Sequence, residues 1–336
     1  MRIAVDAMGG DFAPAEIVAG AVEAARSLPS VSRLFLLGDE GAVRRELDKC
    51  GEIPSHVEVR HSSENIGMDE TPAHAVRRKR DSSVVRAVEM LKAGECDAAV
   101  SAGNTGAAVV AATLKLRTLE GVERPAIATV MPTEGRPLLL IDAGANIDCT
   151  ATLLAQFAAM GTVYSREILG QARPVVGLLS IGAEDLKGND LTRQAFERIS
   201  RCPSINFRGN VEGHDLFEGK TDVVVCDGFT GNIVLKTSES VAVAIGHWLK
   251  QELTRNAVRK AGALLLGGAL RAMRQRMDPE LYGGAPLLGV NGVVIITHGA
   301  SKAKGIFHAV RVAAESVGHQ INHHIVDEVK KLEGLG

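Results

Sequence analysis

Seven short runs of Val, Ile, Leu and Ala in this chain stop at knots of Gly, Asn, Asp, Ser or Thr, and a helix-like stretch follows each one. The turns lie at residues 6–11, 101–106, 142–146, 182–189, 209–213, 227–232 and 298–301. Brief apolar runs without polar alternation suit strands covered on both faces, which is the situation in a parallel sheet whose crossovers are helices. The pattern therefore predicts an α/β fold, a three-layer αβα sandwich around a mostly parallel sheet. In an open sheet of this kind, loops leaving the carboxyl ends of the strands meet in one crevice. Polar side chains far apart in sequence are thus expected to converge on a single ligand, as in an enzyme.

Strands are predicted at 3–5, 33–40, 57–61, 98–100, 127–130, 138–141, 175–179, 205–207, 223–226 and 293–296, with helical patterning at 15–27, 41–50 and 82–93. No repeat of fixed period, low-complexity tract or long polar linker divides the chain, so residues 1–336 are expected to form one catalytic unit. From Ser240 to about Met277 the pattern changes to helix alone, which predicts a protruding arm at about 240–280. The middle of that stretch, 261–270, is apolar on more than one face, and Arg255, Arg259, Lys260, Arg271, Arg274 and Arg276 flank it. Leu264, Leu265, Leu266 and Leu270 suit either the headgroup region of an anionic bilayer or a contact with a second subunit.

With 38 Lys and Arg against 40 Asp and Glu, the formal charge of −2 gives no overall attraction to nucleic acid. The five cysteines stand far apart, with no Cys-x-x-Cys pair and no His at metal-ligand spacing, so reduced thiols and no metal are expected. A basic leader with a long apolar core is absent before Ile3, and no apolar run reaches the ~20 residues of a membrane span, which points to a cytoplasmic location.

Small residues let a backbone approach an anion, and a helix beginning just beyond them aims free N–H groups at it. Gly103, Asn104, Thr105 and Gly106 are on this ground expected to cradle phosphate. The first turn has no third glycine at the spacing of a dinucleotide fingerprint, and neither Gly-x-x-x-x-Gly-Lys-Ser/Thr nor Gly-x-Ser-x-Gly occurs. No cofactor is expected.

Six motifs in order carry a resemblance. They are the stretches 6–14 (DAMGGDFAP), 78–83 (RKRDSS), 101–107 (SAGNTGA), 209–213 (GNVEG), 227–239 (DGFTGNIVLKTSE) and 282–289 (YGGAPLLG). Together they resemble the PlsX family of bacterial phosphate acyltransferases, in register from Met1 to about Val317. The resemblance implies transfer of a fatty acyl group from acyl carrier protein to inorganic phosphate. The acyl phosphate formed would be handed to a membrane glycerol-3-phosphate acyltransferase for phospholipid synthesis. It further implies a homodimer, peripheral membrane association, and a fold similar to phosphotransacetylases and the isocitrate and isopropylmalate dehydrogenases.

That chemistry needs positioning of two anionic partners and stabilisation of a thioester oxyanion, because dianionic phosphate is already nucleophilic and a thiolate leaves readily. Lys187 is expected to supply a cation and Asn232 an amide donor to the carbonyl oxygen. Asn189, Asn210 and Asp227 are expected to hold these groups in line, with Asp6, Gly10, Asn146 and Thr230 lining the substrate site. His298 fits a general acid or base, or a structural hydrogen-bonder. Cys226 next to Asp227 raises the question of an acyl-enzyme, although a thiol ending an apolar strand is more often buried and inert. Arg77, Arg78, Lys79 and Arg80 form a basic run suited to an acidic carrier protein, or to solvent alone. Two other classes compete: a dehydrogenase, which would need a nicotinamide site, and an inactive tether using only the basic run and the arm.

Overall fold

The computed structural model describes residues 1–333 and contains one 11-stranded sheet. Its first half is built from β1 (Arg2–Asp6), β2 (Arg33–Gly38), β3 (Val57–His61), β4 (Ala98–Ser101) and β11 (Val293–Ile296), all mutually parallel. The second half contains β6 (Leu138–Ile141), β7 (Val175–Leu179), β8 (Asn206–Val211) and β9 (Val223–Val225), again mutually parallel. Between the halves lie β10 (Ala285–Leu288) and β5 (Ala126–Met131), giving the order β3-β2-β1-β4-β11-β10-β5-β6-β9-β7-β8.

Side-chain alternation explains the layers. In β1, Ile3 and Val5 face a cluster with α1 (Ala15–Ser27), α2 (Glu40–Leu47) and α11 (Ala303–Gly318), while Ala4 faces α4 (Ser83–Lys92) through Ala87 and Met90. In the second half Leu139, Ile141, Val223 and Val225 pack on α6 (Ala151–Glu167), α7 (Asp190–Ser200) and α12 (Ile321–Glu333). The opposite face, Leu138, Leu140 and Val224, is covered more thinly, by Leu216 and the Val234 and Leu235 side chains of α8 (Gly228–Thr254). α5 (Thr105–Leu116) crosses the middle of the sheet, its Ala107, Ala108, Ala111 and Ala112 packing with Ile127, Ala143 and Leu287. The expected mostly parallel sheet between helical layers is therefore present.

Three successive antiparallel pairings, β11 with β10, β10 with β5 and β5 with β6, reverse the direction of the second half relative to the first. One crevice beyond seven aligned carboxyl ends is thus not what this topology builds, and that expectation is corrected. Twist at about 20–25° per strand, accumulated over the four steps from β4 to β6, turns the second half by on the order of 90°. Its carboxyl-end loops swing toward the face carrying α5, where Ala143, Ala145 and Leu235 join the α5 cluster.

β10 has no counterpart among the predicted strands. Pro286, lacking an N–H, argues against a central strand, yet it is tolerated because Ala285 and Pro286 pair with β11 and only Leu287 and Leu288 pair with β5. The helical arm also begins earlier than Ser240. α8 starts at Gly228 and runs 27 residues, followed by α9 (Ala257–Leu265) and α10 (Gly267–Arg276). Turn-forming residues at 228–232 disguise the start. Gly228 and Gly231 are required there by crowding, since a Cβ at Gly231 would lie 1.9 Å from the Asp142 carbonyl oxygen.

Candidate active site

The turns fall into two groups. In the first half, the loops after β1, β4 and β11 touch one another: the Asp11 amide donates to Gly299 O at 2.8 Å, and Gly9 lies so close to Gly103 that a Cβ would sit 2.6 Å from its nitrogen. Beneath them Asp6, 2% exposed, accepts from Ser101 Oγ at 2.7 Å and from the Met8 amide at 3.2 Å. Burial pushes the Asp6 carboxyl up from the usual carboxylate range, against these hydrogen bonds. Asp6 therefore fastens two turns together under the surface.

Asn104 caps α5, its Oδ1 accepting from the Ala107 amide at 3.0 Å. Its Nδ2 donates to the carbonyls of Gly67, Met68 and Glu70 at 3.1–3.2 Å, so both ends of the carboxamide are committed. That ties loop 67–72 across the α5 N-terminus, where Pro72 packs so near that a Cβ on Gly106 would lie 2.5 Å from its Cγ. Thr105 is exposed, and Gly10 holds a positive φ of 106° that an L side chain rarely adopts. His298 is exposed and its Nδ1 accepts from the Ala300 amide at 3.1 Å.

The second group comprises the loops after β6, β9, β7 and β8, and Asp142 organises its β6 and β9 members. Fully buried, this carboxylate accepts from the amides of Ile127, Gly144, Ala145 and Asn146 and from Asn146 Nδ2, at 2.7–3.1 Å. Burial raises its affinity for a proton and the N–H donors oppose that rise. Asn146 donates further to Pro125 O at 2.7 Å and its own carbonyl accepts from Gly228 N at 2.7 Å, which docks the start of α8 on the loop. Asp227 caps α8, accepting from the Thr230 amide and hydroxyl, both at 2.8 Å. Asn189 caps α7, accepting from the Thr192 amide at 2.9 Å, and Asn210 Nδ2 donates to Glu184 O at 2.8 Å.

Asn146, Asn189, Asn210, Asp227 and Thr230 are thus side chains occupied in shaping loops, and Asn210 Oδ1 stays buried without a partner. Lys187 and Asn232 differ. Both are exposed, and neither side chain makes a hydrogen bond or ion pair among the described residues. The Lys187 stem lies over Gly182, and the Asn232 carboxamide lies against Gly144, within 4 Å of where a Cβ would be. β9 and β7 are neighbours in the sheet, so the first turns of α8, which carry Asn232, and the β7 loop, which carries Lys187, leave adjacent strands. Close approaches run within each group of turns, and α5 packs between the groups.

Cys226 is 3% exposed, its Sγ donates to Asp142 O at 3.6 Å, and burial holds its pKa well above the ordinary thiol range. Cys149 is lifted to about 11 for the same reason. Neither offers a thiolate near neutral pH. In the basic run, Arg77 and Arg78 end α3 (Pro72–Arg78), where cations complement the helix dipole. Lys79 is engaged by Glu70 at 2.5 Å and Asn65 O at 2.7 Å, whereas Arg77, Arg78 and Arg80 are exposed.

A family model described as fatty acid synthesis protein matches residues 1–324. A phosphate acyltransferase of Desulfitobacterium hafniense is 48% identical over 333 residues, covering 98% of this chain and 97% of its own length. One from Desulforudis audaxviator is 50% identical over 317 residues, covering 94% and 92%. The chain belongs to this family. The six-motif resemblance is borne out. Family membership extends well past the motifs themselves, through the arm and α11. In fold, the chain is similar to a phosphotransacetylase from Streptococcus pyogenes, with TM-score 0.62, 20% identity and 94% of each chain covered. A 4-hydroxythreonine-4-phosphate dehydrogenase from Klebsiella pneumoniae aligns with TM-score 0.53 at 14% identity over 94% of this chain and 98% of its own.

Asp142 was not among the expected site residues, although it sits in a turn singled out above. Its signal is positional: an acidic residue ending an all-apolar strand, as Asp6 does. Ile147, Ile181, Leu186, Phe229 and Ile233 are large apolar side chains left exposed within or beside these polar turns.

Proposed function

We propose that the chain moves a fatty acyl group from the thioester of acyl carrier protein to inorganic phosphate, without a covalent acyl-enzyme. The chain is a phosphate acyltransferase, the activity named for relatives 46–50% identical to it over nearly their full length. A phosphate oxygen attacks the thioester carbon, the carbonyl becomes an oxyanion, and collapse expels the carrier thiolate, which takes up a proton from solvent. Lys187 offsets the charge that two anionic partners bring together, and Asn232 donates to the developing oxyanion. The observation that carries this reading is that Lys187 and Asn232 are the expected catalytic side chains left without partners among the described residues, one on the β7 loop and one in the first turns of α8 after the adjacent β9, among neighbours spent on loop structure. The Gly103 corner and Thr105 contribute phosphate contacts from the α5 N-terminus.

The acidic carrier approaches Arg77, Arg78 and Arg80. A second copy of the chain packs on α8, whose 27 residues bury only Gly228 and Gly231 and whose Val241, Ile245 and Trp248 form an exposed stripe at helical spacing. The tip beyond it, with Leu264 at 83% and Leu265 at 90% exposure beside Lys260 and Arg271, suits an anionic bilayer surface. No helix among the described residues is long and apolar enough to cross a membrane, so contact of this kind would be peripheral. Such placement would bring acyl phosphate to a membrane glycerol-3-phosphate acyltransferase, all within a single catalytic unit that includes the arm.

The direct test is incubation of pure protein with acyl carrier thioester and phosphate, followed by hydroxylamine trapping. Phosphate-dependent acyl hydroxamate is expected; its absence, or formation of acyl-protein without phosphate, would overturn the reading.

A further inference from the structure

Five of the large apolar side chains left exposed lie beyond three neighbouring strands, three of them on loops and two on the first turns of α8. Ile147 (67% exposed) follows β6, Phe229 (59%) and Ile233 (49%) follow β9, and Ile181 (82%) and Leu186 (84%) follow β7. These strands are consecutive in the sheet, in the order β6-β9-β7. The polar groups already described are interleaved with them in sequence: Asn146 precedes Ile147, Leu186 precedes Lys187, and Asn232 precedes Ile233. In the first-half turns and the loop 67–72 that covers them, the exposed large apolar side chains are Phe12 and Met68 alone among the described residues. Phe12 already carries the Lys302 ammonium over its ring at 5.7 Å.

A loop has no folding reason to present isoleucine or leucine at more than four-fifths exposure, because that surface gains only by leaving water. From this placement we infer that Ile147, Ile181, Leu186, Phe229 and Ile233 form the subsite for the acyl chain of the substrate. The inference rests on the proposed acyl transfer and extends it to long chains. Thioester chemistry at Lys187 and Asn232 puts the carbonyl carbon between the β7 loop and the start of α8, and the methylene tail must leave from there across whatever surface is nearest. Each further methylene covered adds to the stabilisation in proportion to the apolar surface it takes out of water, so these side chains discriminate chain length. Loop 180–189 is shaped to carry such residues outward. Gly188 holds φ 103°, with Thr192 and Ser180 hydroxyls packed where a Cβ would stand, and Asn210 beneath tethers the loop through Glu184 O. The alternative occupant is the second subunit, since Phe229 and Ile233 lie on the same helix as the α8 stripe.

The test compares kcat/KM for a long-chain and a short-chain acyl carrier thioester in the double variant Ile181→Ser, Leu186→Ser, with Leu114→Ser on the exposed face of α5 as control. Selectivity for the long chain is expected to fall about tenfold in the double variant, a difference of about 1.4 kcal/mol, and to stay put in the control. Unchanged selectivity overturns the subsite. Equal loss for both chain lengths, with a dissociated oligomer by light scattering, also overturns it and assigns these side chains to the subunit contact. If the unaltered protein forms no acyl phosphate from either thioester, the failure lies with the proposed function instead.

Discussion

The two halves of the sheet end in turns of opposite character. Around β1, β4 and β11 the two polar side chains that fix the turns are satisfied internally, Asp6 by Ser101 and Asn104 by α5 and by three carbonyls of loop 67–70, while Thr297 Oγ1 is buried without a partner. Around β6, β9 and β7 the same kind of internal bonding, centred on Asp142, leaves Lys187 and Asn232 open amid exposed apolar residues. Glycine-rich turns of similar appearance thus divide their work. One set is a rigid floor that offers mainly backbone, and the other is a floor with reactive side chains standing on it.

Substitutions sharpen or break that division. The largest effect is expected for Lys187→Ala and Asn232→Ala, each lowering kcat by about 10²–10³, the scale of a lost oxyanion donor, with thermal midpoints unchanged. Full acyl phosphate formation by both folded variants would erase the distinction between the halves. Next comes Gly9→Ala, whose Cβ would meet Asp6 Oδ2 at 2.5 Å and Gly103 N at 2.6 Å. Overpacking of this kind costs about 1–3 kcal/mol, to be read by urea denaturation; a neutral result would mean that the first-half corner is loose. Reversing Arg77 and Arg78 together to Glu should slow carrier-dependent turnover several-fold at low ionic strength and much less at high salt. A salt-independent loss would remove the carrier from that surface.

The smallest effect concerns alkali. Burial lifts Cys149 to about 11 and Cys96 to about 12 from the ordinary 9.0, so the folded chain retains protons that the unfolded chain releases. Their contribution to stability is full below pH 9.0 and declines as pH rises through those folded values. Calorimetry of the Cys149→Ser protein should show a shallower alkaline decline than the parent. An identical slope would mean that this thiol does not titrate with unfolding.

Much of this was legible in the residues. Apolar runs located every strand but β10, and α1, α2 and α4 lie where the 3.6-residue pattern puts them. β10 escaped because Pro286 contradicts local strand propensity and only its split pairing makes it tolerable. The start of α8 escaped because Gly228 and Gly231 answer to contact with the Asp142 loop, which no window of local sequence contains. Direction was hidden for the same reason: nothing within a strand says that β10 and β5 will reverse the sheet. At the site, residue types that form turns and residue types that hold anions are the same ones, so Asn104, Asn146, Asn189, Asn210 and Asp227 could not be told from Asn232 until their partners were seen.

The far end of the chain completes both halves of the sheet. β11 fills the place between β4 and β10, α11 covers the first half against α1, and α12 lies on α6 over the second. A chain emerging from the ribosome therefore carries two unfinished hydrophobic surfaces until its last segments are made, and they close together like a clasp. Fragments ending before Val293 should stay susceptible to protease, and resistance should appear abruptly once α12 is released.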